Sequence, residues 1–326
     1  MKFDAGYVGP HTGVAPAAHS AQQAGLSALW LTETGYDPFI ATLLASQAEP
    51  GLELGTAIAV AFARSPMTMA QTAWDLAALT KGKFWLGLGS QIKPHITRRF
   101  SMPWGKPAAQ MRDFIGALRA IWKSFETGEK LAFASEHYNH SLLTPFFSPA
   151  PHEFSKIPIG LAAVGPKMTE LAGEAADFVV AHTFTTPAYL RAVTLPSLEA
   201  GLARAGRERK SLTVVGSVFV ITGDEQGKKD TEAQVRKTIS FYGSTPAYAP
   251  VLESIGHGEL SGRLHALSRK GEWEEMAKII PADVLAHLSV KADPQELRAA
   301  IEERFGDIYD RVQVSLTPEQ LKWITA

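Results

Sequence analysis

At 326 residues the chain has room for two average domains or for one α/β barrel carrying insertions. Apolar residues make up 45%, charged residues 20%, and the formal net charge is −1, so bulk electrostatics offer no footprint for nucleic acid. Cysteine is absent, which removes disulfides, thiolate nucleophiles and cysteine-based metal sites together. With no run of about 18 uncharged apolar residues, no membrane partner is expected and the chain reads as cytoplasmic.

The opening MKFDAGYVGPHTG has no apolar core behind positive charge and reads as a first strand, Phe3–Val8. Helical spacing over Ala15–Ala24 stops at Gly25, a residue suited to the position just past a helix. A second strand is predicted at Ala28–Leu31 and a helix at Pro38–Ala48. The stretch LELGTAIAVAFARSPMTMAQTAWDLAALTKGKFWLGLGS then gives strand Leu52–Ala59, helix Met67–Leu79 and strand Phe84–Gly87. Such a βαβ unit implies parallel strands, and the nearly continuous apolar runs fit strands covered on both faces.

Successive βα units about 25 residues apart are the cadence of a (β/α)8 barrel. Residues 90–156 interrupt it with a helix at Pro107–Phe125 and a hairpin around Leu131–Leu143. Strands resume at Ile157–Ala162, Phe178–Ala181 and Leu212–Ile221, and the last lies at Arg311–Leu316. A second interruption, 223–305, carries helices at Asp224–Phe241, Glu272–Ile280 and Pro294–Phe305. Its Ser244–Gly262 stretch, rich in Gly, Ser and Pro, reads as a mobile lid or entrance. Structureless connections of that length are rare in compact domains, so both are structured insertions. The expected fold is therefore α/β: a single-domain TIM barrel over 1–326, with insertions after strands four and seven. A doubly wound open sheet is the rival, but Gly6, Gly9, Gly13 and the run Leu86–Gln91 lack the G-x-G-x-x-G spacing it would use.

Chemistry in such a barrel gathers where the strands end. Glu33, just past strand two and followed by Thr34, is either a general acid or base tuned by partial burial or a structural hydrogen-bond partner. Asp37 before Pro38 reads as a helix cap. Gly55–Ile58 either lets a flat ligand approach the backbone or packs in the core. Beyond strand four, Ser90 and Gln91 offer hydrogen bonds, and His95 is either a substrate contact or an exposed imidazole. Arg98, Arg99 and Trp104 could shape an entrance or a subunit interface, while the arginine pair also reads as a solvated helix end.

The turn Val164, Gly165, Pro166, Lys167, Met168 joins a strand to a helix. It is either a phosphate site, with free N–H groups at the positive end of a helix dipole, or a plain turn. His182 and Thr183, after strand six, would lie beside it. His137 and His140 have no nearby carboxylate besides Glu136, so no metal is expected. No G-x-S-x-G elbow or Walker loop is present, and hydrolase and P-loop readings lapse.

With these residues placed, the chain resembles the bacterial luciferase-like superfamily and, within it, the oxidoreductases that use the deazaflavin coenzyme F420. GLSALWLTET, the 52–90 stretch, FSMPW, MRDFIGALRAIW, IPIGLAAVGPKMTELAGEAADFVVAH and DRVQVSL carry the resemblance in order and spacing across most of the chain. It implies a (β/α)8 barrel with inserted segments, in homodimers or higher assemblies. It also implies a deazaflavin, or alternatively FMN, at the carboxyl end of the barrel, acting on a small-molecule substrate. Ala57 and Ile58 match the third-strand bulge, which in deazaflavin enzymes often contains a non-prolyl cis peptide behind the ring; Gly89, Ser90 and Gln91 match the loop beside it. Val164–Met168 match the phosphate turn, with His182 and Thr183 nearby. Many relatives carry histidine just after strand two, whereas this chain has Glu33 and Thr34. Glu33 is then the candidate for proton management, with Gln91 and His95 on the substrate side. The activity implied is hydride transfer between coenzyme F420 and a small organic substrate. The alternatives are an FMN-dependent monooxygenase and a cofactor-binding protein without turnover.

Overall fold

A computed structural model describes residues 1–325. Eight parallel strands form a closed ring: Lys2–Tyr7, Ala28–Leu31, Glu53–Thr56 continued by Ala59–Val60, Phe84–Gly89, Ile159–Ala163, Phe178–Ala181, Thr213–Ser217 and Arg311–Val314. Closure is direct, because Lys2 registers with Arg311 and Ala5 with Leu29, so the first strand lies between the eighth and the second. Leu54 registers with Phe84 and Leu86 with Ile159, completing the ring on the other side. The barrel expected from the βα cadence is the fold, and the open sheet is excluded. Strands two and six are buried at every position, which is why they read as unbroken apolar runs.

Two strands differ from the sequence reading. Strand three is not continuous over Leu52–Ala59: it breaks after Thr56, and the Ala57–Ile58 peptide bond is cis. Strand seven is not continuous over Leu212–Ile221 either. Phe219–Ile221 leaves the barrel and pairs in parallel with Ser289–Lys291, a three-residue strand too short to stand out in the sequence.

Aromatic rings and one ion cluster fill the barrel's interior. Trp30, Trp85 and Phe178 meet with ring centroids 5.3–6.2 Å apart. The backbone makes room for them: a Cβ on Gly55 would lie 2.3 Å from Trp30, and one on Gly160 would lie 2.0 Å from Phe178. Beside them Arg311 donates to both oxygens of buried Asp4, at 2.7 and 2.9 Å, and to Glu53 at 2.6 Å. Trp30 adds its indole N–H to Asp4 at 2.8 Å. A buried charge is tolerated only when its partners are complete, and here they are. These strand-start residues leave the opposite, C-terminal end of the barrel for chemistry.

The insertions are structured, as expected. After strand four come a short π-helical segment at His95–Arg99, the helix Pro107–Thr127, and an antiparallel pairing of Phe133–Ala134 with Asn139–His140. After strand seven come the helices Glu225–Gly243, Ala249–Glu253, Gly258–Lys270, Trp273–Lys278, Ala282–Leu288 and Leu297–Phe305. The Ser244–Gly262 stretch, expected as a mobile lid or entrance, is folded into helices rather than an irregular linker. Val251, Leu252 and Leu260 are buried there in a second hydrophobic cluster, together with Ile239, Val284 and Leu288. Two of its glycines and Gly243 just before it act as punctuation: Gly243 ends one helix, Gly258 begins another, and Gly256, at φ +80°, turns the chain between them. Among the described residues no helix is long and apolar enough to cross a membrane.

Candidate active site

The break in strand three is clamped from both sides by one residue. The Glu33 amide donates to the Ile58 carbonyl at 3.3 Å, and the Glu33 carboxylate accepts from the Val60 amide at 2.7 Å. The same carboxylate oxygen accepts from Arg64 Nη1 at 2.7 Å, and Arg64 Nη2 reaches Asp37 at 2.9 Å. Burial would lower the Arg64 pKa, but hydrogen bonds and charge from Glu33 and then Asp37 outweigh it and raise it. Asp37 also caps its helix as expected, accepting from the Phe39 amide at 2.8 Å and more distantly from Ile40. Arg64 was not singled out in the sequence; the turn between the broken strand and Ser65 was the only hint of it.

Ala57 and Ile58 are half-buried at the mouth. Gly89 lies buried against them: a Cβ there would sit 2.6 Å from Ile58 Cδ1, so the Ile58 side chain fills the space that glycine leaves. Gly55 makes room for Trp30, which favours core packing over ligand approach at that position.

Beyond strand four the chain runs as a strap along the mouth's rim, against the loops after strands two and three. Ser90 Oγ donates to the Gln91 carbonyl at 3.1 Å. Gln91 has left-handed backbone, φ +58°, and its own Oε1 accepts from the Ile92 amide at 3.0 Å. The strap is pinned by Arg99, which donates to the carbonyl of exposed Thr34, and by Trp104, whose ring meets Phe62 edge-on at 6.1 Å. His95 is exposed on the strap, its side chain uncommitted.

After strand five, Val164 leads into Gly165, the N-cap of helix Pro166–Ala175, which no side chain caps. The first helical bond runs from the Thr169 amide to the Gly165 carbonyl at 3.1 Å, so the Lys167 and Met168 amides precede it without helical partners. Gly165, Pro166 and Lys167 are exposed, and a Cβ on Gly165 would meet no atom within 4 Å. Open donors, a positive dipole end, a free lysine and clear space together suit an anionic group.

His182 and Thr183 follow strand six. A cavity behind the turn is lined by Val164, His182 and Tyr189 among others, so His182 does neighbour the turn. Its polar atoms face elsewhere. Nδ1 accepts from the Phe184 amide at 3.0 Å, which leaves the proton on Nε2 to be donated to the Tyr248 hydroxyl at 3.1 Å. Tyr242 and Tyr248 cover the imidazole at 4.6 Å, and burial pushes its pKa down to about 4. Thr183 donates to Ser217 Oγ, at the end of strand seven, at 2.8 Å. Ser217, Tyr242 and Tyr248 had no motif to announce them. The expectation that His137 lacks a nearby carboxylate is corrected: Asp113, on the helix Pro107–Thr127, lies 2.7 Å from His137 Nδ1.

The loops after strands two to six thus bring Glu33, Thr34, Ala57, Ile58, Gly89–Gln91, Val164–Met168, His182 and Thr183 to one barrel end. Comparisons with known proteins show which family and fold the chain resembles. The family model described as luciferase-like monooxygenase matches residues 9–311. An uncharacterized protein of Mycobacterium bovis is 44% identical over 313 residues, covering 96% of this chain and 92% of that protein. A 5,10-methylenetetrahydromethanopterin reductase of Archaeoglobus fulgidus is 24% identical over 87% of this chain and 83% of its own. The solved coenzyme F420-dependent tetrahydromethanopterin reductase of Methanopyrus kandleri superposes with a TM-score of 0.84 at 18% identity, covering 100% of this chain and 97% of that one.

Proposed function

The chain belongs to the luciferase-like monooxygenase family, and on that premise we propose that it is an oxidoreductase moving a hydride between coenzyme F420 and a small organic substrate. One observation carries the reading: an uncapped, exposed helix start at Gly165–Met168 opens at the same barrel end as the broken third strand. A Mycobacterium tuberculosis relative named as a putative coenzyme F420-dependent oxidoreductase, 25% identical over 86% of this chain, supports the deazaflavin, and the clear space at Gly165 fits its phosphate.

The deazaflavin, when bound, would supply the two-electron chemistry; the protein supplies binding, orientation and electrostatics. The amides of Lys167 and Met168, with the Lys167 ammonium, would hold the phosphate. Ile58, seated on Gly89, would offer an apolar surface to the ring. Glu33 takes a positioning role, because its carboxylate already serves Val60 and Arg64. Gln91 folds back on its own loop, which leaves His95 as the uncommitted titratable group among the three substrate-side candidates and our choice for proton transfer.

Titrating the purified apoprotein with coenzyme F420 and with FMN, following ring fluorescence, tests the assignment. Binding of the deazaflavin is expected. The family's monooxygenase description favours the second reading, reduced FMN with oxygen, and micromolar binding of FMN alone would reverse the choice.

A further inference from the structure

The strap along the mouth's rim has a charge pattern that cofactor binding does not absorb. Between Asp75 and Asp113 the chain contains no acidic residue, and residues 90–106 carry Lys93, Arg98, Arg99 and Lys106. All four are exposed. Arg99 donates to Thr34 and lies over its neighbour Phe100 at 4.7 Å, whereas Lys93, Arg98 and Lys106 have no ion pair or side-chain hydrogen bond among the described residues. Such cations are often a solvated face, but this segment is held in place. Ile96 is fully buried, Arg99 is tied to the loop after strand two, and Trp104 is packed on Phe62 just beyond the broken strand. Glu33 and Asp37, on the loop to which Arg99 is tied, share Arg64, so one negative charge there is left uncompensated against four positive ones. Ile92 and Met102 add exposed apolar side chains to the same strap.

Resting on the oxidoreductase reading above, we propose that the 90–106 strap selects a substrate with an anionic head group, carboxylate or phosphate, on a short apolar body. The head group would meet the unpaired cations while Ile92 and Met102 cover the body, leaving the reactive carbon toward Ala57 and Ile58. Charges at the rim of a cleft raise the local concentration of an oppositely charged ligand and lose that effect as salt rises.

Equilibrium binding of benzaldehyde, 4-carboxybenzaldehyde and 4-formylphenyl phosphate to the full chain tests this without requiring turnover. At least one anionic aldehyde should bind about tenfold more tightly than benzaldehyde at low salt, with the advantage shrinking as salt rises. The two anionic probes separate carboxylate from phosphate recognition. The double variant Lys93→Glu/Arg98→Glu should abolish the preference. Lys130→Glu/Lys270→Glu, the same charge change at remote exposed lysines, should retain it. Equal binding of all three probes, no binding of any, or a preference surviving the strap reversal would overturn the proposal. A reversal that instead weakened coenzyme F420 or FMN binding would also overturn it, by assigning the cations to the cofactor. If the preference behaves as expected yet no aldehyde is reduced with either cofactor, the oxidoreductase reading fails and the strap's selectivity stands.

Discussion

Glu33 holds Ile58 through its amide and Val60 through its carboxylate, so one residue bridges both ends of the interrupted third strand. Arg64 donates to the oxygen that accepts from Val60. Replacing Glu33 with Ala leaves the partly buried Arg64 guanidinium with Asp37 and the Val60 carbonyl and is expected to cost about 2–3 kcal/mol of stability. Cofactor affinity and turnover should fall together, because the strand that seats Ile58 loosens. Urea unfolding with a cofactor titration checks both. If Glu33→Gln destroyed turnover while sparing stability and affinity, Glu33 would return to the role of proton carrier.

A second prediction concerns the turn after Val164. Because a Cβ on Gly165 meets no atom of the described residues within 4 Å, Gly165→Ala should leave the melting temperature within about 2 °C of the parent. If an anion docks there, the methyl group takes its space and cofactor affinity should drop about tenfold. Lys167→Ala should weaken affinity about threefold and flatten its salt dependence. Unchanged affinity in both variants would remove this turn from cofactor binding.

The space under Ile58 allows a sharper test. Gly89→Ala places a methyl 2.6 Å from Ile58 Cδ1 and must displace that side chain. Cofactor affinity is expected to fall, and the Ile58→Ala change, which removes both Cδ1 and the Cγ1 at 2.7 Å, should recover part of it. Fluorescence titration of the single and double variants reads this directly. Equal loss in both would locate the damage elsewhere.

His182 predicts a pH dependence. Its folded-state pKa is depressed from 6.5 to about 4 by burial, so the unfolded chain binds the proton more readily. The neutral ring's contribution is therefore fully present above pH 6.5 and is lost as pH falls toward about 4. Unfolding midpoints should decline across that window, and His182→Gln should flatten the decline. A His182→Gln protein with the parental slope would place the dependence on other groups.

At the barrel floor, Asp4→Ala should be among the most damaging substitutions. It strips a fully buried Arg311 of two hydrogen bonds and Trp30 of one, an expected loss of about 3–5 kcal/mol. Pairing it with Arg311→Met in a double-mutant cycle should recover part of the loss. Additive losses would mean the pair is not coupled.

The barrel was legible because strands buried on both faces must be apolar throughout, and runs such as Phe178–Ala181 have few alternatives. The open helix start after Val164 was legible for a local reason, a glycine and proline between strand and helix. Polar pairing was not. Glu33 and Arg64 are 31 residues apart, and Asp4 and Arg311 are 307 apart, distances at which periodicity carries no signal. Glycine misled at Ser244–Gly262, where residues that end and begin helices resembled those of a flexible linker. The strand Ser289–Lys291 was lost because a three-residue element shows no alternation to count.

Phe184 and Tyr189 follow the sixth strand, yet their side chains sit in the hydrophobic cluster of the helices that interrupt the chain after the seventh. The insertion is therefore not a module that can be cut at its own ends. A chimera that exchanges only residues 223–305 with a relative would mate a foreign helical cap to native aromatic plugs. One that also carries residues 182–195 would move the whole packed unit and keep its seams in register.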